Sequence, residues 1–296
     1  MLLQSHFEGE TWGLSFNDGF VITSGDDNRI MMIDAQTRQY VRGGKISDKK
    51  MKDPARKSNA STLSQMPPNK QARAVTFTKK HSHLVVCNNL GKVSIRDLED
   101  FDKKICSLKE AKDWCEVARY SPCENFLAIG SHDKNIHIYK VDVDTHSYSL
   151  YWSVQKGSSF VNALDWTVDS KEVRISTGDY EVLYFDVENK EFLTNGGESA
   201  ANKLWASNSI KNGPDRKGLQ PSGEDRTHIN DVAGSQDANF VLTADDFGLV
   251  NVFHWPEPNI SAARSYAAHS EHVARVVISS DNTRVFSVGG QDKTLI

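Results

Sequence analysis

The stretch NFLAIG at 125–130 followed by SHDKNIHIYK at 131–140 decides how this chain folds. Polar turn-forming residues separate two apolar runs, the composition of a tight hairpin turn in which Asp, Asn or Gly takes the sterically demanding backbone positions. After the turn, Ile136, Ile138 and Val141 are interrupted by His137 and Lys140, the pattern of a strand with one buried face. The signature recurs as GDDNRI at 25–30, NNLGKV at 88–93, TGDYEV at 177–182, ADDFGL at 244–249 and GQDKTL at 290–295. With Asp27, Leu90, Asp133, Asp179, Asp246 and Asp292 taken as equivalent, the steps are 63, 43, 46, 67 and 46 residues. Three of the five lie near the roughly 40–45 residues of a four-stranded propeller blade, and the two long steps each leave room for an insertion of about 20 residues. The chain therefore reads as all-β, a β-propeller with about six recognisable blades in a ring that is either closed or part of a larger one.

Working outward, 105–108 reads as an outer strand, 115–121 as an inner strand, and 125–131 and 135–141 as the next two. The following repeat gives 160–166, 173–177 and 182–187, nearly continuous apolar runs of the kind found where blades pack on both faces. Similar triplets fall around Trp12 to Ser24, Ala72 to Cys87, Ile229 to Thr243 and Val273 to Val288. At the ends, Leu2 to Ser5 resembles an outer strand without a repeat before it, and the chain stops at Ile296 inside the last repeat. If the ring closes here, the first strand adds to the last blade and removes an open edge. The reading is one domain over 1–296, cut from a longer protein, with insertions at about 45–70 and 196–228.

The two insertions differ in chemistry. Residues 45–70 are polar and almost without aromatics, a composition that reads as a mobile loop. Residues 196–228 place Leu204, Trp205 and Ile210 ahead of a Gly/Pro-rich tract. That apolar patch is read as an irregular extra strand, with Trp205 as a partner-binding residue the other reading.

Composition bounds the function. A net charge of −4 over 296 residues supplies no global field toward nucleic acid or an anionic membrane. Cys87, Cys106, Cys115 and Cys123 form neither a CxxC pair nor a Cys/His grouping, so a reducing, cytoplasmic setting is expected. No apolar stretch approaches the roughly 18 residues of a membrane span. GxxxxGK, GxGxxG after a strand, HExxH and GxSxG are all missing, so no enzymatic role, metal or cofactor is expected. SQDANF at 235–240 departs from the Asp box of sialidase-type propellers at Asn239 and Leu242.

In a WD-type blade a turn Asp, a His before the inner strand and a Ser or Thr on the second strand can link as a buried hydrogen-bonded chain. His269, Ser287 and Asp292 form the best such set, and His6, Thr23 and Asp27 a second. Their recurrence at blade spacing argues for a structural rather than a catalytic network.

Beyond the generic WD40 pattern, the chain resembles the C-terminal propeller of the echinoderm microtubule-associated protein-like family. The resemblance is carried by HFEGETWGL (6–14), RYSPCENFLAIGSHDKNIHIYKV (119–141), FVNALDWTVDSKEVRISTGDYEVLYFDV (160–187), HINDVAGSQDANFVLTADDFGLVNVFHWP (228–256) and YAAHSEHVARVVISSDNTRVFSVGGQDKTLI (266–296). TVDS replaces the usual Ser-Pro-Asp turn in the fourth repeat, and 45–70 looks like an expansion. The resemblance implies a microtubule-associated scaffold, located on the cytoskeleton, whose propellers contact tubulin.

One local charge feature fits that implication. Arg42, Lys45, Lys49, Lys50, Lys52, Arg56 and Lys57 oppose only Asp48 and Asp53, a net of +5 between 42 and 57 on a chain of net −4. Clustered cations steer association with an acidic partner such as tubulin; a solvated loop is the plainer reading. No aromatics interleave to stack on bases, so nucleic acid is not expected. The preferred reading is a non-enzymatic tubulin-binding module, with a general WD40 adaptor in a signalling or ubiquitin-ligase assembly as the alternative.

Overall fold

Six four-stranded antiparallel sheets form a β-propeller in the computed structural model, which describes residues 3–17, 19–46, 71–78, 80–142, 145–197, 203–212, 219, 228–237, 239–255 and 263–296. The first strand, β1 (Leu3–Gln4), belongs to the last blade. Blade 1 runs outward as β2 (Thr11–Asn17), β3 (Phe20–Gly25), β4 (Arg29–Asp34) and β5 (Tyr40–Lys45). Blade 2 is β6 (Ala72–Thr78), β7 (His83–Asn88), β8 (Val93–Asp97) and β9 (Lys104–Leu108), and blade 3 is β10 (Cys115–Tyr120), β11 (Phe126–Ser131), β12 (Asn135–Asp142) and β13 (Ser147–Gln155). Blade 4 comprises β14 (Val161–Trp166), β15 (Glu172–Thr177), β16 (Val182–Asp186) and β17 (Glu191–Phe192). Blade 5 comprises β18 (Ile229–Gly234), β19 (Phe240–Asp245), β20 (Leu249–His254) and β21 (Arg264–Ala267). Blade 6 is β22 (Val273–Ile278), β23 (Val285–Gly289) and β24 (Thr294–Leu295), completed by β1, which pairs Leu3 with Leu295 and Gln4 with Thr294.

Burial follows radial position. The second strands β7, β11, β15 and β19 are buried almost throughout, because each lies mid-sheet with a neighbouring blade against either face. The outermost strands β13 and β21 are largely exposed. Val85, Cys87, Cys115 and Leu127 share one cluster between blades 2 and 3, and Ala128, Ile136, Leu164 and Trp166 another between blades 3 and 4. All four cysteines are free thiols.

The repeated turns are built on one backbone device. Asn28, Gly91, Lys134, Tyr180, Gly248 and Lys293 all have φ between 57° and 78°, the left-handed conformation that closes a hairpin turn. Lys134, Tyr180 and Lys293 hold it despite their Cβ, so Gly or Asn is not obligatory at this position. In blade 5 the residue before the left-handed position is Phe247, one beyond Asp246. Asp245 there accepts from the amides of Phe247 and Leu249, as Asn88 does from Leu90 and Lys92.

Inner strands pack side by side at five junctions: β2 with β6, β6 with β10, β10 with β14, β18 with β22, and β22 with β2. At the sixth, between β14 and β18, residues 203–212 intervene. Ala206 N–H donates to Trp166 O at 2.8 Å, Val168 N–H to Leu204 O at 2.9 Å and Gly234 N–H to Asn208 O at 3.0 Å. Thr167 and Trp205 form an antiparallel bridge, so the segment is an irregular extra strand on the inner edge of blade 4. Asp165 fastens it, accepting from Ser207 Oγ (2.6 Å), Ser209 N (2.9 Å), Ser209 Oγ (2.8 Å) and Arg174 Nε (3.1 Å).

Candidate functional site: the turn-bearing face of the ring

Every inner strand breaks register at the same place: between Thr11 and Gly13, Ala72 and Val75, Cys115 and Val117, Val161 and Ala163, Ile229 and Asp231, and Val273 and Arg275. A bulge re-aims the side chains around it. Here the repeated bulge marks the level of Trp12, Arg73 and Glu116, at the end of the channel where the inner strands start.

These residues build a stack across several blades. The Arg73 guanidinium lies 4.0 Å from the Trp12 ring centroid and 4.0 Å from that of Trp114, a cation–π contact with each. Trp114 stacks on His132 at 4.9 Å, and His132 on Phe160 at 4.4 Å. Arg73 is buried and also reaches Gln71 Oε1 at 2.8 Å and Asp26 at 3.4 Å. Trp12 and Trp114 meet edge to face, 5.7 Å apart and at 89°, so the guanidinium sits in the corner of the two indoles and is held by both at this end of the channel.

Beneath the stack an ion pair crosses the axis. Arg275 of blade 6 hydrogen-bonds Glu116 of blade 3, which stands opposite it in the ring. Arg275 Nε also donates to Trp12 O at 3.2 Å, and Asp231 lies 4.0 Å from the guanidinium. Burial would raise the Glu116 carboxyl, but Arg275 and His132 outweigh it and hold it down at about 2. Burial likewise disfavours the Arg275 cation, and Glu116 with Asp231 overcompensate.

Around this centre stands an apolar rim. Phe7 (63% exposed), Leu90, Phe160, Tyr180 and Phe247 (72% exposed) project from the turns or from the residues leading into inner strands, all at the same end of the blades. Propeller topology sends every blade-to-blade connection to this end. The long connections between β5 and β6 and between β17 and β18 both leave from it or return to it.

The two WD-type sets lie at this level as well. His6 Nδ1 is 2.8 Å from Asp27 Oδ1 and Nε2 is 3.1 Å from Thr23 Oγ1; His269 Nδ1 is 3.1 Å from Asp292 Oδ2 and Nε2 is 2.9 Å from Ser287 Oγ. Thr294 Oγ1 adds a bond to each of His269 and Asp292, at 2.8 Å. Burial pushes the His269 imidazole down despite Asp292. In blade 3 the histidine instead comes from the third strand: His137 Nε2 is 3.2 Å from Asp133 and Nδ1 is 2.9 Å from Ser153 Oγ.

Of the basic candidates, Arg42 pairs with Glu99 of the neighbouring blade at 2.8 Å, and Lys45 is exposed at the end of β5. Lys49, Lys50, Lys52, Arg56 and Lys57 lie outside the described residues. Trp205 is half-buried on its own blade, with the Arg174 guanidinium 4.2 Å from its ring and Tyr184 at 6.2 Å, so its packing favours the extra-strand reading over a partner contact. The sequence reading missed Trp12, Arg73, Trp114, Glu116 and Arg275. Charges inside otherwise apolar inner strands, as in CEVAR and HVARV, were the signal available. Among the described residues no group of three or more His, Cys, Asp or Glu is arranged to hold a metal. None of their helices is long and apolar enough to cross a membrane.

Blades closed by turn networks, around a central channel with an exposed rim, define a β-propeller of WD40 type. The family model described as the echinoderm microtubule-associated protein second beta-propeller matches residues 11–296, and the chain belongs to that family. It is 35% identical over all of its length to the ciliary WD repeat-containing protein ctxp80 of Euplotoides octocarinatus, 41% of which is covered. It is 31% identical over 98% of its length to the 77 kDa echinoderm microtubule-associated protein of Strongylocentrotus purpuratus, covering 39% of it. With echinoderm microtubule-associated protein-like 2 of Rattus norvegicus the identity is 30% over the whole chain and 42% of the relative. The chain thus spans about two fifths of the length of the relatives it matches.

Proposed function

We propose that this propeller is a non-enzymatic binding module of a microtubule-associated protein and contacts tubulin through its turn-bearing face. The observation that carries the reading is the rim of Phe7, Leu90, Phe160, Tyr180 and Phe247, exposed together around a rigid centre. Exposed aromatics on a preorganised surface bury large area at low entropic cost, which is how protein partners are anchored. The basic stretch reaches this same face at Lys45, the end of β5, and its residues from Lys45 to Lys57 supply attraction toward an acidic partner, while Arg42 is engaged by Glu99 toward the other end of the blades. The whole protein would then reside on cytoplasmic microtubules.

Co-sedimentation with assembled microtubules, run beside a free-tubulin binding assay, tests the reading. The double variant Tyr180→Ser, Phe247→Ser should weaken binding at least tenfold, about 1.4 kcal/mol or more, while leaving the unfolding midpoint in place. Exchange of Lys49, Lys50, Lys52, Arg56 and Lys57 for Ser should lower affinity at low salt and flatten its salt dependence. Undiminished binding by both variants would rule out this face and return the propeller to the general adaptor reading.

A further inference from the structure

The channel below the Arg275–Glu116 pair opens into a cavity of about 300 Å³. In its upper part Glu116 and Asp231 face Arg275, and Lys211 close by is countered by Asp231, Glu116 and Asp246, so no cation there lacks a carboxylate. Three residues further along β10, roughly 10 Å at strand spacing, the balance fails. Arg119 and Arg174 there face one carboxylate, Asp165. Asp165 already accepts from Arg174, Ser207 and Ser209. Among the described residues the Arg119 guanidinium makes no hydrogen bond or ion pair, and its Nε is sealed from solvent with no acceptor. Only the Arg119 main chain is engaged, its carbonyl accepting from Trp166 Nε1 at 3.2 Å.

A guanidinium presents five N–H donors in a planar fork, and leaving one partly buried without an acceptor is unfavourable. Carboxylate and phosphate groups match that fork in shape and charge. Ser15, Thr76, Asn208 and Gln236 line the same cavity, with hydroxyl and amide groups suited to ligand hydroxyls. One unmatched cation suits a single anionic group and not a polyphosphate. A volume of this size lies at the lower end of small-molecule sites. We propose that the channel binds a small hydroxylated anion, its one phosphate or carboxylate group received by Arg119. This inference is independent of the tubulin reading, which concerns the opposite end of the channel.

Titration calorimetry on the full chain with glycerol 3-phosphate, inorganic phosphate and, at matched ionic strength, sodium chloride tests it. Glycerol 3-phosphate should bind more tightly than inorganic phosphate, and chloride should give no saturable heat. Arg119→Gln should reduce affinity for glycerol 3-phosphate at least tenfold, and Arg119→Lys should retain part of it. In phosphate-free buffer Arg119→Gln should leave the urea midpoint unchanged or raised, since it removes an unmatched cation. Absent binding, equal binding by wild type and Arg119→Gln, or a lowered midpoint in phosphate-free buffer would each overturn the proposal, the last by showing that Arg119 serves Asp165.

Discussion

Where blade 6 meets blade 1, two copies of the repeat's own hydrogen-bond set hold the turns, His269 with Asp292 and Ser287, and His6 with Asp27 and Thr23. Where blade 4 meets blade 5, a single buried carboxylate, Asp165, gathers Arg174, Ser207 and Ser209 and so holds an extra strand between the inner strands. The first junction spreads its stabilisation over two separate buried sets, each with its own histidine, carboxylate and hydroxyl. The second concentrates it on one ion with no access to solvent. Repetition gives a tolerant junction, and a unique insertion gives a brittle one.

The largest effect expected from this difference is at Asp165. Asp165→Ala leaves the buried Arg174 cation without its carboxylate, with only Asn208 Oδ1 as acceptor, and two serine donors unmet, and should destabilise by about 3–5 kcal/mol. Urea unfolding measures this, and a loss comparable with that at Asp292 would remove the contrast. Asp292→Ala should cost less, about 1–3 kcal/mol, because His269 keeps Thr294 and Ser287 as partners and no buried guanidinium is left unpaired.

Acid should separate the junctions in another way. His269 has its pKa lowered by burial, and His83, beside Tyr148 and His146, is pushed down to about 4 by burial and by the neighbouring histidines. For a histidine with a depressed folded pKa the unfolded state binds more protons below pH 6.5 or so, so stability is full above that value and falls as pH drops toward about 4. Asp165 and Asp292 have lowered pKa values despite burial, so their contribution is lost only as pH falls below about 4. The urea midpoint should therefore fall between pH 7 and pH 5 in wild type and fall less in His83→Asn. An equal fall in both would place the acid-sensitive group elsewhere.

The smallest effect concerns the turns themselves. Lys134 holds φ at 70°, which costs a side-chain-bearing residue about 1 kcal/mol. Lys134→Gly should stabilise by about 0.5 kcal/mol once the greater freedom of glycine in the unfolded chain is subtracted. Thermal unfolding checks the sign.

Much of the architecture was legible beforehand because a turn is a local event. The left-handed residue, the Asp that caps the next amides and the apolar runs on either side lie within about ten residues of one another. The spacing of Asp292 from His269 and Ser287 is visible for the same reason, being set by one hairpin and its preceding loop. The blade 5 register was misplaced by one residue because Asp246 fits the turn by type, whereas the residue before the left-handed Gly248 is Phe247 and the amide bonds to Asp245 fix that alignment. Asp165, inside an apolar strand, carried no local sign of the strand it would hold about forty residues later in the chain.

By itself the sequence determined the hairpins, their number and the family to which they belong, since each depends on short-range periodicity and turn chemistry. Tertiary structure alone decided which channel-facing charges meet. Arg275 reaches Glu116 across 159 residues, and Arg73 contacts both Trp12 and Trp114 from two other blades. Ring closure brings opposite blades to one axis, and no spacing along the chain encodes a distance across that axis.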